Sequence, residues 1–358
     1  MPAHSHPEKN LALNRPRQPS LQAMSPFSVF ERSSPELLNW LKSTGVRRTI
    51  TASTQLIREG EQPQRLLLLM EGSLRATITG PQQRQEQLAT LPPGSLVGEM
   101  SWLEQRPAVA CITAAADSSV LEISVTELET LQTQDLRLAS ELHRLIAQKL
   151  AAQIQEQNAW IHRHPNDHDS VEPLRKVLVL FAHLQEQDVY KLARLGELQS
   201  IQPGTLLLQQ GEPVQALYLI LSGNADILFT LSEVTQVVGS TRRGELLGEM
   251  SLLLEEQDGA SAGVYCPDGM ALLTINRTRL LAELENDLSL SCRFYRGLAC
   301  MLSQRSRDQL QRHRGGTNSH QSELIETIDL DQLTGISRAA RHFDWLCNHF
   351  QTKEATEP

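Results

Sequence analysis

The pattern that most restricts this chain is a set of glycines that occurs twice. Residues Glu59 to Gly80 read EGEQPQRLLLLMEGSLRATITG, and Gln210 to Thr230 read QGEPVQALYLILSGNADILFT. Gly60 and Gly72 are twelve positions apart, as are Gly211 and Gly223. Gly94 then precedes Gly98-Glu99-Met100-Ser101 by four positions, and Gly244 precedes Gly248-Glu249-Met250-Ser251 by four. The gap from Gly72 to Gly94 is 22 residues and that from Gly223 to Gly244 is 21, a change confined to one loop. Glycine turns a chain where φ must be positive, so a repeated glycine spacing predicts a repeated set of tight turns. A period of roughly 150 residues is a domain period rather than a solenoid period.

Between the glycines the apolar residues alternate or run in short blocks, as strands do. Leu66 to Met70 reads as a buried strand, and Ser73 to Thr79 and Ser119 to Ser124 as half-buried ones. Short strands from Val46 to Ile123, and again from Leu198 to about Ile275, predict two small barrels or sandwiches. Helical periods bracket them. Ser34 and Pro35 mark a cap and first position for a helix to Ser43. Thr126 to Leu131 reads as a helix, and Leu138, Leu142, Leu145, Ile146, Leu150 and Ile154 form one apolar stripe. A helical lead-in spans Val171 to about Leu195, and a long helix runs from about Asp287 to Leu310 with Leu290, Phe294, Leu298, Met301 and Leu302 on one face. Arg312 to His320 reads as a loop. The expected organisation is a disordered segment (1–27), a first barrel domain (28–160), a linker (161–171), a second barrel domain (172–310) and a tail with short helices (311–358).

The glycine turns and the two Gly-Glu-Met-Ser stretches resemble a tandem of cyclic nucleotide-binding domains. This fold is shared by catabolite-activator regulators and the regulatory subunit of cyclic-AMP-dependent kinase. The resemblance covers about residues 30–155 and 172–310. It implies a mainly β fold with flanking helices: two tandem jelly-roll barrels, each carrying a loop and short helix called the phosphate cassette. In such a cassette a glycine lets the backbone approach the ligand, helix amides face the cyclic phosphate, a carboxylate accepts the ribose hydroxyl, and an arginine neutralises the phosphate. The resemblance puts the carboxylate at Glu99 and Glu249. The pocket residues it implies are Gly98, Glu99, Met100, Ser101, Arg106 and Ala108 in the first copy, and Gly248, Glu249, Met250 and Ser251 in the second.

The departure from the family lies at the arginine, which in binding members follows the glutamate by nine residues. Nine after Glu99 is Ala108, with Arg106 two positions early, and nine after Glu249 is Asp258. The second copy has no Arg or Lys between Glu249 and Arg277, and Glu255, Glu256 and Asp258 place negative charge where a phosphate would arrive. Glu99 and Glu249 can equally serve as structural carboxylates at a helix start, and Trp102 as a hydrophobic plug or a cover for a base. The second cassette is expected to be degenerate, and cyclic AMP or cyclic GMP in the first is the alternative.

The remaining features exclude more than they assign. No Walker loop, G-x-S-x-G elbow or H-E-x-x-H is present, so no enzyme is expected. Residues Gln311 to Pro358 carry five Arg/Lys and seven Asp/Glu, the wrong balance for a DNA-reading module. With a net charge of -9, no nucleic-acid partner is expected, and a transcription regulator is the weakest reading. Arg47 to Thr51, RRTIT, resembles a basophilic phosphorylation site but lies in a strand region. Four histidines lie close in sequence, His162, His164, His168 and His183; the first three sit in a polar segment with no cysteine partner, and the group reads as a solvated linker rather than a metal site. No cofactor is expected beyond a weak cyclic nucleotide ligand. The five cysteines lack a C-x-x-C pair and read as free thiols. No signal-like segment or run of 18 apolar residues appears, so a cytoplasmic protein is expected, a setting compatible with docking onto a membrane protein complex. What remains is an adaptor, regulatory or structural subunit that binds a protein partner. Phe343, Trp345, Leu346 and Phe350 are its candidate contacts, with the alternative that they fold back over the second barrel. The Leu138–Ile154 stripe is a candidate homodimer surface.

Overall fold

The computed structural model describes residues 27–80, 85–163, 179–231, 234–254, 259–314 and 330–354. The N-terminal segment, the linker histidines His164 and His168, the acidic residues Glu255 to Asp258 and the side chain of His162 lie outside the described residues.

Two helices lead in, α1 (Val29–Arg32) and α2 (Pro35–Thr44). Ser34 caps α2: its hydroxyl accepts the Leu37 N–H at 3.1 Å, and Pro35 takes the first position, where no intrahelical N–H is needed. Next come β1 (Val46–Ile50), β2 (Gln55–Ile57), β3 (Arg65–Glu71), β4 (Leu74–Thr79), β5 (Gln85–Leu91), β6 (Leu96–Val97), α3 (Glu99–Glu104), β7 (Cys111–Ala114) and β8 (Ser118–Ser124). The strands form two four-stranded sheets, ordered β1-β8-β3-β6 and β2-β7-β4-β5. This is an eight-stranded jelly roll. A capping box at Ser124 and Glu127 opens α4 (Val125–Gln134), and α5 (Leu136–Arg163) follows.

The second unit repeats this order. Helices α6 (Val179–His183) and α7 (Glu186–Leu195) precede β9 (Gly196–Ile201), β10 (Thr205–Leu208), β11 (Ala216–Leu231), β12 (Val234–Arg242) and β13 (Leu246–Leu247). Then come α8 (Glu249–Leu253), β14 (Gly263–Cys266), β15 (Met270–Asn276), α9 (Arg277–Asn286), α10 (Leu288–Arg314) and α11 (Leu330–Glu354). Strand β11 does the work of β3 and β4 together. Its first half pairs with β15 and β13, and its second half with β12 and β14, with Gly223 between them. All eight repeated glycines have positive φ, so the doubled spacing is a doubled set of left-handed turns. The need is steric at Gly98 and Gly248: an added Cβ would lie 2.8 Å from the Arg65 carbonyl oxygen and 2.6 Å from that of Ala216.

The two long helices join the barrels. The stripe Leu142, Leu145, Ile146, Leu150 and Ile154 of α5 is buried in one core with Leu290, Phe294, Leu298, Met301 and Leu302 of α10. Each such side chain contributes about 1.5–3 kcal/mol of burial. Ser140 and Ser291 hydrogen-bond across this seam at 2.7 Å. The stripe offered as a homodimer surface is therefore spent within the chain. Helix α10 also runs past Leu310 to Arg314, so the first residues of the expected 312–320 loop are helical. That extra length matters, because Leu310 packs into the core of the first barrel with Ile57, Ile78 and Ile112.

The aromatic C-terminal segment folds back. Phe343, Leu346 and Phe350 are buried. Phe343 lies edge-on to Phe181 of α6, with ring centroids 6.0 Å apart, and under the Arg243 guanidinium at 5.2 Å. Trp345 meets Tyr190 of α7 at 4.2 Å. The exposed aromatic face expected from sequence is instead covered by α6 and α7, because an amphipathic helix buries its apolar side on the nearest apolar surface. Among the described residues, no helix is long and apolar enough to cross a membrane.

Candidate functional site

Each cassette begins where β6 or β13 ends at a left-handed glycine and a short helix starts. Gly98 (φ 92) opens α3 and Gly248 (φ 84) opens α8. The following glutamates are buried, Glu99 at 3% exposure and Glu249 at 4%. A carboxylate so placed needs a counter-charge, and each has one. The Lys149 ammonium on α5 pairs with Glu99 and also donates to the Leu96 carbonyl at 2.7 Å. Arg305 on α10 donates to Glu249 Oε1 at 2.6 Å. In both copies the helix that follows the barrel returns a cation to the cassette glutamate. The structural reading of these carboxylates thus has a concrete form: one oxygen of each, Oε1, is paired with a cation.

The remaining candidate residues take supporting places. Ser101 is buried and its carbonyl accepts the Arg106 N–H at 3.3 Å. Met100 and Met250 pack against the interdomain core. Ser251 donates to the Gly259 carbonyl at 3.2 Å. Trp102 is buried and stacks on His143 of α5, with ring centroids 5.5 Å apart, so it plugs the seam. Burial, reinforced by Arg296 and His183, pushes the His143 pKa down to about 3. His183 falls to about 4, again chiefly through burial.

The cassettes also touch the opposite unit. Arg307 on α10 donates Nε to Glu104 Oε2 at 2.7 Å and Nη1 to the Pro107 carbonyl at 2.9 Å, both in the first cassette. Ser303 donates to the other Glu104 oxygen. Burial raises the Glu104 pKa, and Arg307 and Ser303 oppose that rise. From the other side, Gln148 on α5 donates to the Leu253 carbonyl of the second cassette at 3.1 Å. Each long helix thus holds its own cassette glutamate and reaches across to the other cassette.

Where the first cassette ends, its loop, the β2–β3 turn and α10 border an open cavity of about 630 Å³. Arg58, Glu59, Arg106, Ala108, Arg307 and Gln311 are among its walls; Gly98, Glu99, Met100 and Ser101 are not. The wall of this cavity thus includes Arg106 and Ala108 but not the Gly-Glu end of the pocket with which sequence grouped them. Sequence reasoning missed Lys149, Arg305 and Arg307. Each lies dozens of residues or more from its partner, and on a helix a basic residue beside an apolar stripe looks like any solvated one. Among the described residues no His/Cys/Asp/Glu group is arranged to hold a metal ion.

Comparison with known proteins agrees with this architecture. The family described as "Cyclic nucleotide-binding domain" matches residues 47–135 and 198–287, together half of the chain. The cGMP-dependent protein kinase egl-4 of Caenorhabditis briggsae is 25% identical over 255 residues, covering 70% of this chain and 29% of that protein. The Caenorhabditis elegans kinase of the same name is 24% identical over 256 residues, covering 70% and 28%. The chain thus spans under a third of the length of these relatives. Similar solved structures include the regulatory domain of Toxoplasma gondii PKA with cAMP (19% identity, 74% of this chain and 89% of that one, TM-score 0.28). Another is the Thermus thermophilus catabolite activator protein (25% identity, 50% and 76%, TM-score 0.33).

Proposed function

Because the chain belongs to the cyclic nucleotide-binding domain family, we propose that it is a non-catalytic regulatory subunit whose two barrels form a fixed support for a protein partner. The observation that carries this reading is the pairing of both cassette glutamates, Glu99 with Lys149 and Glu249 with Arg305. A cassette closed by its own chain has exchanged a ligand for a helix. The arginine expected nine residues after each glutamate is replaced by Ala108 and Asp258, which favours the same conclusion. The curated relatives are kinases by name, and the aligned part is under a third of each, in keeping with a tandem that regulates rather than catalyses.

Titration calorimetry on the full chain tests the reading. Neither cyclic AMP nor cyclic GMP is expected to bind with a Kd below about 10 μM, since losing a buried charge partner costs tens- to thousand-fold in affinity. A partner recovered from native extract at low salt should be retained equally with and without either nucleotide. The rival reading, a sensor in the first barrel, draws on the cavity beside the first cassette, whose wall includes Arg106. Micromolar cyclic nucleotide binding abolished by Glu99→Gln would establish the sensor and sink the closed-cassette reading.

A further inference from the structure

We propose that the free edge of β12 in the second barrel pairs with the β12 edge of a second copy of this chain, extending one sheet across a two-fold axis. The tandem supplies its own control. The strand ladders on either side of Gly72 and Gly223 match the residues of this sheet between the two barrels. Gln55, Thr113, Thr77 and Gln87 of the first barrel correspond to Leu206, Tyr265, Leu228 and Val237 of the second. Residues opposed in a ladder share a face, and successive residues alternate between faces. Ile112 and Val264, next along β7 and β14, are buried in the barrel cores, so the matched residues lie on the outer face. That face is polar in the first barrel and apolar in the second. Val237 is 63% exposed and Leu206 47%, and apolar side chains grouped on one outer face mark a contact surface.

The edge beside that face has lost its charge as well. Among the described residues, β5 pairs only with β4 and β12 only with β11. Glu86 of β5 has Gln236 of β12 as its counterpart. Glu59 accepts the Thr79 N–H at 3.0 Å, and in its place Gln210 Oε1 accepts the Thr230 N–H at 2.7 Å. The hydrogen bond is kept and the carboxylate is not. No charged side chain occurs from Val234 to Thr241. Exposed edges are ordinarily guarded by charge or proline, and this stretch has neither. The Gln210 bond and the contact between the Thr230 and Thr235 hydroxyls at 2.9 Å hold the hairpin in strand form, so little ordering is left to be done on pairing.

The charge pattern selects a second copy as the occupant. A two-fold axis sets an edge against itself, so a charged edge repels its mate and an uncharged one does not. This favours self-pairing at β12 and opposes it at β5, where Glu86 would approach its own copy. Asp226 on β11 shares the apolar face with Tyr265. Strands lie about 4.8 Å apart, so edge pairing leaves the two Asp226 residues three spacings apart, about 14 Å, beyond the Debye length of ~8 Å at physiological salt. Stacking the two faces would instead bury both carboxylates without a cation. Arg242, at the far end of β12 and 4.0 Å from Glu245, falls at opposite ends of an antiparallel pairing centred near Val237.

The test is sedimentation of the full chain from about 1 to 500 μM, a range chosen because a short edge pairing buries less than a standard interface and is expected to dissociate at about 10–100 μM. A monomer–dimer equilibrium is expected, with β12 amide exchange slowing as the dimer fills while β5 exchange does not change. Val237→Lys should weaken the dimer at least about tenfold, and Gln87→Lys, at the matching place in the first barrel, should leave it intact. Both side chains are on outer faces, so Tm should be unchanged in each variant and a lost dimer reads as a lost contact. A monomer at every concentration would overturn the proposal, as would a dimer indifferent to Val237→Lys or weakened equally by Gln87→Lys. A chain that stays monomeric but loses, with Val237→Lys, a different protein recovered from native extract would assign the edge to that protein and equally overturn it.

Discussion

Arg305 and Arg307 sit two positions apart on α10 and hold opposite barrels. Arg305 binds Glu249 of the second cassette at 2.6 Å, and Arg307 binds Glu104 of the first at 2.7 Å. On a helix, residues two apart point to different sides, so a single turn serves both units. The seam between the barrels is thus built from cassette parts, and the same residues that would shape a ligand pocket carry the interdomain contact.

Lys149→Ala removes the counter-charge of Glu99 and leaves that carboxylate 3% exposed. Breaking a buried pair from one side costs about 3–5 kcal/mol, and that loss is expected in urea denaturation. Combining Glu99→Gln with Lys149→Met should restore most of it, because no buried charge is then left alone. A loss under about 1 kcal/mol, the size of a surface pair, would show that the pair does not hold the cassette.

Gly98→Ala and Gly248→Ala each force a side chain into a left-handed backbone and against a carbonyl oxygen. The conformational part alone costs about 1–2 kcal/mol, and the contacts add to it. Both variants should lower Tm by several degrees. Gly239→Ala, where an added Cβ meets nothing within 4 Å and φ is not positive, serves as the control and should leave Tm nearly unchanged.

Leu310→Ala tests whether α10 helps to close the first barrel. Leu310 is 7% exposed and belongs to that barrel's core. Truncating a buried leucine costs about 2–5 kcal/mol. Hydrogen exchange should quicken in β2 and β7 of the first barrel while β9 and β15 of the second stay protected. Faster exchange in the second barrel alone would refute the assignment.

The pH response follows from His143, whose pKa is lowered to about 3 by burial. The unfolded value is near 6.5, so the folded state binds fewer protons between these limits. Stability is full above pH 6.5 and falls as pH drops, by about 1.4 kcal/mol per unit. His183, lowered to about 4, acts in the same direction. Thermal melts should be level at pH 7 and above and decline below 6.5, and His143→Phe, which keeps a ring against Trp102, should shallow the decline. A Tm unchanged between pH 7 and pH 5 would contradict this account.

The barrels were legible because their turns are. Gly60, Gly72, Gly94 and Gly98 each sit at a positive φ, and only that backbone demand writes a residue type into a fixed spacing. The strands between them, such as Leu66 to Met70, carry the period of their sheet. The Ser34-Pro35 start of α2 was legible for the same local reason. The seam was not. Lys149 meets Glu99 across 50 positions, and Arg307 meets Glu104 across 203. No local preference encodes such meetings, because a basic side chain on a helix is equally content in water. Phe343 and Phe350 show the complementary ambiguity: an apolar stripe states that it will be covered, but not by what.

The pairing of α5 with α10 has a consequence for how the two barrels part. Both helices belong to one polypeptide, so their association is a first-order event, and its extent is independent of how dilute the protein becomes. Tethering in general supplies an effective concentration set by the connection's length and stiffness, about millimolar where it is short and flexible. Two separate chains bearing the same faces would come apart as their concentration fell. A single backbone cut between residues 163 and 179 would change the order of the reaction, keeping the α5–α10 faces as they are yet exposing the seam, for the first time, to mass action.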